Sequence, residues 1–368
     1  MKVNGEKMKR KILFVSPNLH HGGAESVLVK ILNNIDLTQF DIKLVLLRKE
    51  GKHLSKLNNY IKVIDLNSKN PIISFFKLRS ILKKENPDYV FSIIGHVNLI
   101  LSLLKSLFFR NTTFLGRENV VYSEWLYKDI TMKKRVLAIG YKIFLKRLDY
   151  VIVQSTYMAN QVQDYFRVPE GKLIILNNPI EHERIAILSS EDINNDKWQE
   201  DKINLISIGR IEKVKNYYAM VDIIELLPEK FQLNIFGEGN EQENLEKYIN
   251  YKGLKERITI HGFVENPYKY LKKSHALLLT SERESFPNVV LEANACGIYA
   301  ITFDMPGGIK DIIKNGINGS IVSDKQIEEF ANEIMKSYKQ GYNAQKITEI
   351  NKRYSIDKYM NELYNKFI

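Results

Sequence analysis

The sequence has little cysteine, since Cys296 is the only one among its 368 residues. One cysteine excludes a disulfide within the chain, and the N-terminus shows no signal-peptide pattern. We therefore expect the protein in a reducing compartment, with the cytoplasm as the default. Hydrophobic residues make up 44% and charged residues 26% of the chain, which is ordinary for a soluble globular protein and excludes a disordered or fibrous one.

The sequence also lacks a clear membrane span. Residues 89–109 come closest in length, but Gly95, His96 and Lys105 interrupt them, so a strand followed by a helix is the better interpretation. The helical part, 97–109, is apolar on nearly every side.

Lys/Arg clusters, at 133–135 and 146–147, follow this apolar helix. Such a combination is typical of a protein that rests on an anionic membrane without crossing it, here the inner face of the cytoplasmic membrane. A helix buried in a large core is the alternative.

Two ligand motifs are absent. There is no G-x-G-x-x-G, which excludes the usual dinucleotide fingerprint, and no D-x-D, the usual carboxylate clamp for a metal-bound nucleotide sugar. We therefore expect neither a resident cofactor nor a metal.

Negative charge is scarce in the first half of the chain. Residues 1–178 hold 29 Lys+Arg and 14 Asp+Glu, and residues 179–368 hold 25 and 29, which gives +15 and −4 and sums to the net charge of +11. The first half is thus expected to face something anionic, unless its charge is an ordinary solvated surface.

Short Val/Ile-rich runs alternate with longer segments of helical periodicity, which predicts an α/β fold with parallel sheets. The expected domains are 1–180 and 203–350, joined by a polar linker over 181–202 and followed by a C-terminal helix within 351–368. Each domain is expected to contain a Rossmann-type sheet.

Two strand ends carry candidate anion-binding groups. Gly22 and Gly23 precede an amphipathic helix, where backbone N–H groups and the helix dipole favour a phosphate, although a structural turn is the better explanation of the glycine pair taken alone. Arg210 ends a predicted strand, and Lys215 follows shortly before a helix. Ligands of open α/β sheets bind at this edge, so these two cations are candidates for a diphosphate, with ordinary surface charge as the alternative.

The segment SERESFPNVVLEANACG, residues 281–297, is the most informative. It predicts a strand end, a loop carrying Glu284, and a helix with Pro287 at its first position. Asn288 and Glu292 share one face of an otherwise apolar helix. A carboxylate there needs a partner, either a structural donor or the hydroxyls of a ribose or sugar.

These motifs, taken in order, resemble those of glycosyltransferase family 4, retaining enzymes of the two-domain GT-B fold. The family's E-x(7)-E pair corresponds to Glu284 and Glu292, its Gly-Arg…Lys element to residues 209–215, and its N-terminal glycine pair to Gly22 and Gly23. Similarity extends to 306–322. The resemblance implies that the C-terminal helix crosses back to the first domain.

The resemblance also implies a donor site for a nucleotide-diphospho-sugar, which we expect to be a UDP-sugar. Arg210 and Lys215 would bind the diphosphate with Gly23, Glu292 the ribose, and Glu284 the donor sugar. Further donor contacts are expected from Phe263 and from the helix start, which comprises Ser285, Phe286, Pro287, Asn288 and Val289.

The catalytic residues on the first domain are less clear, because His96 and Glu118 match the family pattern only loosely. The resemblance implies front-face retention, in which the leaving phosphate helps to deprotonate the acceptor. The leading hypothesis is transfer to a glycan or lipid-linked acceptor in cell-surface polysaccharide biosynthesis. A GT-B-fold sugar-nucleotide epimerase and a basic nucleic-acid-binding protein are the alternatives.

Overall fold

The computed structural model describes residues 9–20, 22–123, 131–193 and 197–367. It divides into two compact units. The first comprises the chain up to Pro179 together with the segment from Tyr359 onward, and the second is Ile180–Lys358.

The first unit contains a seven-stranded parallel sheet in the order β3-β2-β1-β4-β5-β6-β7. Its strands are β1 Arg10–Ser16, β2 Phe40–Leu46, β3 Lys62–Asp65, β4 Tyr89–Ser92, β5 Thr113–Arg117, β6 Tyr150–Val153 and β7 Leu173–Ile175. Its helices are α1 Gly23–Asn34, α2 Pro71–Glu85, α3 Gly95–Leu107, α4 Met132–Phe144 and α5 Thr156–Phe166.

The second unit contains a six-stranded parallel sheet in the order β10-β9-β8-β11-β12-β13. Its strands are β8 Ile203–Ile208, β9 Phe231–Phe236, β10 Ile258–Gly262, β11 Ala276–Leu279, β12 Tyr299–Phe303 and β13 Gly319–Val322. Its helices are α6 His182–Ser189, α7 Tyr217–Leu226, α8 Gln242–Tyr251, α9 Tyr268–Lys272, α10 Asn288–Ala295, α11 Ile309–Ile312, α12 Ile327–Gln340 and α13 Ala344–Asn351.

Both sheets have the architecture that the alternating pattern predicts. Their central strands are buried on both faces, as in β9, where every residue from Phe231 to Phe236 is buried. Parallel strands need crossover connections, and helices that cover both faces explain why such strands consist almost wholly of apolar residues. The α/β prediction is therefore confirmed.

The last helix, α14 Ile356–Phe367, returns the chain to the first unit. The Tyr364 ring stacks on Phe40 with 5.3 Å between centroids, and the Asp36 backbone N–H donates to the Tyr364 hydroxyl at 2.8 Å. Tyr359, Met360 and Leu363 are buried. This is the crossing C-terminal helix that the family resemblance implies.

The stretch 181–202, which the sequence suggests to be a linker, includes part of the second unit. Helix α6 begins at His182 and buries Ile185, and Trp198 packs against Tyr270 at 5.3 Å between ring centroids. Residues 194–196 of this stretch lie outside the described residues. The few apolar side chains of the stretch 181–202 are enough to pack it on the second unit, although they give only a weak periodicity in the sequence.

Nowhere in the described ranges does a helix have the length and hydropathy to cross a bilayer.

Candidate functional site

The carboxyl ends of the strands in the second unit gather the predicted donor residues. Strand β8 lies between β9 and β11, so the loops after these three strands meet at one edge of the sheet. The Tyr217 hydroxyl donates to the Gly209 carbonyl at 3.1 Å, and the Thr280 hydroxyl donates to the Asn216 carbonyl at 2.9 Å. The loop after β8 is therefore fixed to its own helix and to the end of β11.

Lys215 and Glu284 form an ion pair at this edge. The Lys215 Nζ lies 2.5 Å from the Glu284 Oε1, although the residues are 69 positions apart in sequence. The Ser281 hydroxyl donates to the same carboxylate oxygen at 2.9 Å. The two side chains are 21% and 16% exposed, so the pair is neither deeply buried nor fully screened by water.

The backbone of Glu284 is held by the turn after β12. The Glu284 N–H donates to the Pro306 carbonyl at 3.1 Å, and the Gly308 N–H donates to the carbonyls of Glu284 at 3.2 Å and Ser285 at 2.9 Å. Gly307 has φ of +131°, and a Cβ there would lie 1.5 Å from the Glu284 carbonyl oxygen. Only glycine fits, because the two backbones touch at this point.

Arg210 lies at the same edge without joining the Lys215–Glu284 pair. Its side chain is 66% exposed, and its guanidinium lies 2.7 Å from the Glu212 carboxylate. An exposed pair of this kind contributes little to stability and leaves the guanidinium near the surface. A ligand at this edge could therefore reach Arg210 with little rearrangement of the protein.

Helix α10 begins at Asn288, with Pro287 at the N-cap position, one residue later than the sequence suggests. Proline has no side-chain acceptor to satisfy the first N–H groups of a helix. Ser285 and Val289 are half-buried, and Phe286 is buried against Tyr354 at 5.9 Å between ring centroids. The helix N-terminus thus directly follows the loop that carries Glu284.

Glu292 is half-buried on α10. Its negative charge is the main reason why the pKa of Tyr268 is raised, so these groups are near each other. Burial, and then the Glu292 charge, raises the pKa of Cys296 to about 12.

Phe263 follows β10 and is 51% exposed, so this aromatic ring is presented to solvent at the same sheet edge.

In the first unit, Gly22 and Gly23 begin α1. Gly22 occupies the N-cap position with extended backbone and accepts the Ser26 N–H at 3.1 Å. The carboxylate of Glu25 folds over it, since a Cβ at Gly22 would lie 2.1 Å from the Glu25 Oε2. The negative charge of Glu25 interacts favourably with the positive end of the helix dipole but repels an anion at the same place.

His96 and Glu118 differ in exposure. His96 is exposed in the first turn of α3, whereas Glu118 is fully buried after β5. The Asn98 amide donates to the Glu118 carboxyl at 2.7 Å, and the Tyr122 hydroxyl also contacts it. A Cβ at Gly95 would lie 2.8 Å from the Glu118 Oε2, so this carboxyl packs beneath the start of α3.

Burial raises the pKa of Glu118 to about 7, and the hydrogen bonds from Tyr122 and Asn98 oppose that rise. The carboxyl is thus poised between its neutral and charged forms near neutral pH. Because the Glu118 side chain has no exposed surface, its carboxyl interacts with neighbouring protein groups and not with solvent.

The sequence motifs indicate no role for two residues of the site, Ser281 and Gly307. Ser281 is the first residue of the informative segment, and a hydroxyl at a strand end is a weak signal. Gly307 belongs to the Pro-Gly-Gly turn after β12, a stronger one, because consecutive glycines at a strand end indicate close backbone approach. Its contact with a loop 23 positions earlier needed the tertiary structure.

The described part of the chain contains no group of three or more His, Cys, Asp or Glu side chains arranged to hold a metal ion.

Comparisons with known proteins identify relatives of both halves. Residues 21–184 match the family model "Glycosyltransferase Family 4", and residues 189–354 match "Glycosyl transferases group 1".

Among curated proteins, the Campylobacter jejuni N-acetylgalactosamine-N,N'-diacetylbacillosaminyl-diphospho-undecaprenol 4-alpha-N-acetylgalactosaminyltransferase is 26% identical over 83% of this chain and 84% of its own length. The Salmonella typhimurium lipopolysaccharide 1,6-galactosyltransferase is 24% identical over 77% and 73%.

Among solved structures, the Anabaena protein HepE in complex with UDP superposes with a TM-score of 0.79 at 16% identity, covering 97% of this chain and 99% of that one. At this identity the likeness shows the fold alone. Its two parallel-sheet domains belong to the same GT-B class as those of this chain.

Proposed function

Because the chain belongs to glycosyltransferase family 4, we propose that it transfers a sugar, with retention of anomeric configuration, from a UDP-sugar to a glycan or lipid-linked acceptor. The Lys215–Glu284 pair at the carboxyl edge of the second sheet is the observation that carries this proposal. It brings a cation for phosphate and a carboxylate for sugar hydroxyls to one point, between strands β8 and β11.

The donor would be bound by side chains on two loops and on helix α10. Lys215, with Arg210, binds the diphosphate, which two cations can neutralise without a metal. Glu284 accepts hydrogen bonds from the donor sugar and Glu292 from the ribose. The start of α10 and the backbone at Phe263 supply the remaining contacts to phosphate and nucleobase. The UDP complex of HepE supports uridine as the base.

The reaction needs no enzyme nucleophile in this proposal. The bond from the anomeric carbon to the diphosphate oxygen breaks, and the acceptor oxygen bonds to that carbon on the same face. The acceptor proton passes to the departing phosphate. Lys215 and Arg210 stabilise the charge that develops on the leaving group, which is where charge stabilisation lowers a barrier most.

The acceptor side is assigned to the first unit. His96 is exposed at the start of α3 and is available to a substrate hydroxyl, and the buried Glu118 holds that helix start in place. The diphospho-undecaprenol acceptor in the name of the Campylobacter relative supports a lipid-linked acceptor. We assign the chain to cell-surface polysaccharide synthesis at the inner face of the cytoplasmic membrane.

A thermal-shift screen of UDP, GDP, ADP and their sugars tests the donor, since a ligand that binds only the folded state stabilises it by RT ln(1 + [L]/Kd). We expect UDP to stabilise the wild type and Lys213→Met, but to lose most of its effect on Lys215→Met. Lys213 is a matched control because it is exposed in the same short turn.

The product then distinguishes the functions. Transfer with an unchanged anomeric configuration, insensitive to EDTA, supports the proposal. Turnover of a UDP-sugar without acceptor would instead indicate an epimerase. Retention on nucleic acid at moderate salt, with no stabilisation by UDP, would indicate a nucleic-acid-binding protein.

A further inference from the structure

Three neighbouring helices of the first unit, α2, α3 and α4, expose much of its apolar surface. They contact one another in that order, and their inner sides join one core cluster. Among the described residues, nine of the sixteen exposed large apolar side chains lie on these helices or directly after α3. They are Ile72, Ile73, Phe76, Leu107, Phe108, Met132, Val136, Ile139 and Ile143. We call this the three-helix surface.

Helix α4 contributes a continuous outward stripe. Met132, Val136, Ile139 and Ile143 follow one another at intervals of four, three and four residues and are 73%, 64%, 59% and 47% exposed. This spacing places them on one face of a helix. Such a stripe normally faces a protein core. Here the opposite side of α4 faces the core, where Tyr141 is buried.

A groove between α3 and α4 adjoins this stripe. Its volume is about 470 Å³. Its lining is formed by Leu99, Leu103, Met132, Val136, Leu137, Gly140 and Phe144. Gly140 keeps it open, because a Cβ there would approach the Leu99 side chain at 3.2 Å. A lining of apolar residues favours an apolar ligand chain and offers a polar group little compensation for lost water.

The charges around the surface are almost all positive. The exposed bases are Lys77, Arg79, Lys83 and Lys84 on α2, Arg110 after α3, Arg135 and Lys142 on α4, and Lys146 and Arg147 after α4. The only acidic residue within the three helices is Glu85, and it forms an ion pair with Lys43. Arg79 lies 4.3 Å from the centroid of the exposed Phe108 ring, so base and aromatic share one patch.

We propose that the three-helix surface binds an anionic lipid bilayer, with α4 parallel to the membrane plane, its apolar stripe in the acyl region and a lipid chain in the groove. The apolar residues are suited to the acyl region of the bilayer, and the flanking Lys and Arg residues are suited to its anionic headgroups. A second copy of the chain is disfavoured because the two positive faces would repel each other. The proposal deepens the proposed function, since a lipid-linked acceptor is found at such a surface.

Co-sedimentation with vesicles tests this surface. The probes are phosphatidylcholine alone and phosphatidylcholine with phosphatidylglycerol. We expect the wild type to bind the anionic vesicles, to bind neutral ones weakly, and to dissociate as salt rises. Val136→Asp should weaken binding by about tenfold or more, because it places a charge where the bound state would insert an apolar side chain into the acyl region. Ile187→Asp is the matched control, since Ile187 is 69% exposed on α6 and should not matter.

Two readouts separate this proposal from the function. Val136→Asp should keep the wild-type melting temperature and the UDP shift, so loss of vesicle binding cannot be attributed to unfolding. Vesicle binding without a UDP shift would overturn the proposed function and leave the surface intact. Equal binding by Val136→Asp and wild type, or no salt-sensitive binding to anionic vesicles, would overturn the membrane surface. So would wild-type self-association that Val136→Asp abolishes.

Discussion

Replacing Gly307 by alanine should disable the site while leaving the fold of the second unit in place. The two backbones meet here, and the new Cβ would lie 1.5 Å from the carbonyl oxygen of Glu284 and 2.6 Å from its carbonyl carbon. Neither atom belongs to a flexible side chain that could move aside. The loop that carries Glu284 has to move instead.

The distance sets the size of the effect. Real Cβ contacts under 3.0 Å are essentially never seen, so the loops must separate by at least the difference between 3.0 and 1.5 Å, which is 1.5 Å. The Lys215 Nζ and Glu284 Oε1 are now 2.5 Å apart, and a displacement of that size would break their contact. A misplacement of about 1 Å can cost about 100-fold in rate, and we expect a loss of kcat of that order.

Gly316→Ala is the control for backbone strain. Gly316 also has positive φ, +74°, but a Cβ there meets nothing within 4 Å. Both substitutions carry the left-handed backbone penalty, of about 1 kcal/mol or more, and only Gly307→Ala adds the collision. The assay is turnover of the UDP-sugar that best stabilises the protein, with circular dichroism to verify folding. Wild-type kcat in a folded Gly307→Ala protein would refute the reasoning.

Other perturbations test the remaining contacts. Lys215→Ala should lower kcat/KM by about 10- to 150-fold, since a charge-assisted hydrogen bond contributes about 1.5 to 3 kcal/mol, and an unchanged value in steady-state kinetics would contradict its role at the diphosphate. Gly237→Ala should distort the loop after β8, because its Cβ would lie 1.9 Å from the Gly209 carbonyl oxygen, and loss of the UDP thermal shift would show it. The neutral Glu118 carboxyl stabilises the fold fully below about pH 4.5, and this contribution is lost as pH rises through about 7, so denaturant unfolding should show the wild type losing about 3 kcal/mol relative to Glu118→Gln over that window. Parallel pH profiles for the two proteins would contradict the raised pKa.

The sequence predicts the long apolar strands of the sheets better than the short or polar ones. Strand β12, Tyr299–Phe303, is an apolar run that is recognisable at both ends. Strand β5, TFLGR, is central in its sheet but contains glycine and arginine, and its buried Arg117 gives no apolar signal. The edge strands β3 and β13 have four residues each, too few for a periodicity to emerge.

The sequence indicates the candidate residues of the site but not how they pair. The motifs indicate Lys215 and Glu284 separately, and only the adjacency of β8 and β11 in the sheet brings them together. Neither composition nor spacing could show that Glu118 is inside the protein, because its partners Asn98 and Tyr122 come from separate elements. Long-range contacts of this kind depend on strand order.

Helix α14 also has a consequence for how the protein is made. The Tyr364 hydroxyl meets Asp36 across 328 positions of sequence, and the ribosome adds roughly 5 to 20 residues per second. Tyr364 is therefore synthesised roughly 15 to 65 seconds after its partner, with the whole second unit emerging in between. The unit whose synthesis starts first is the one completed last, and until then the side of Phe40 that Tyr364 will cover is open to chaperones.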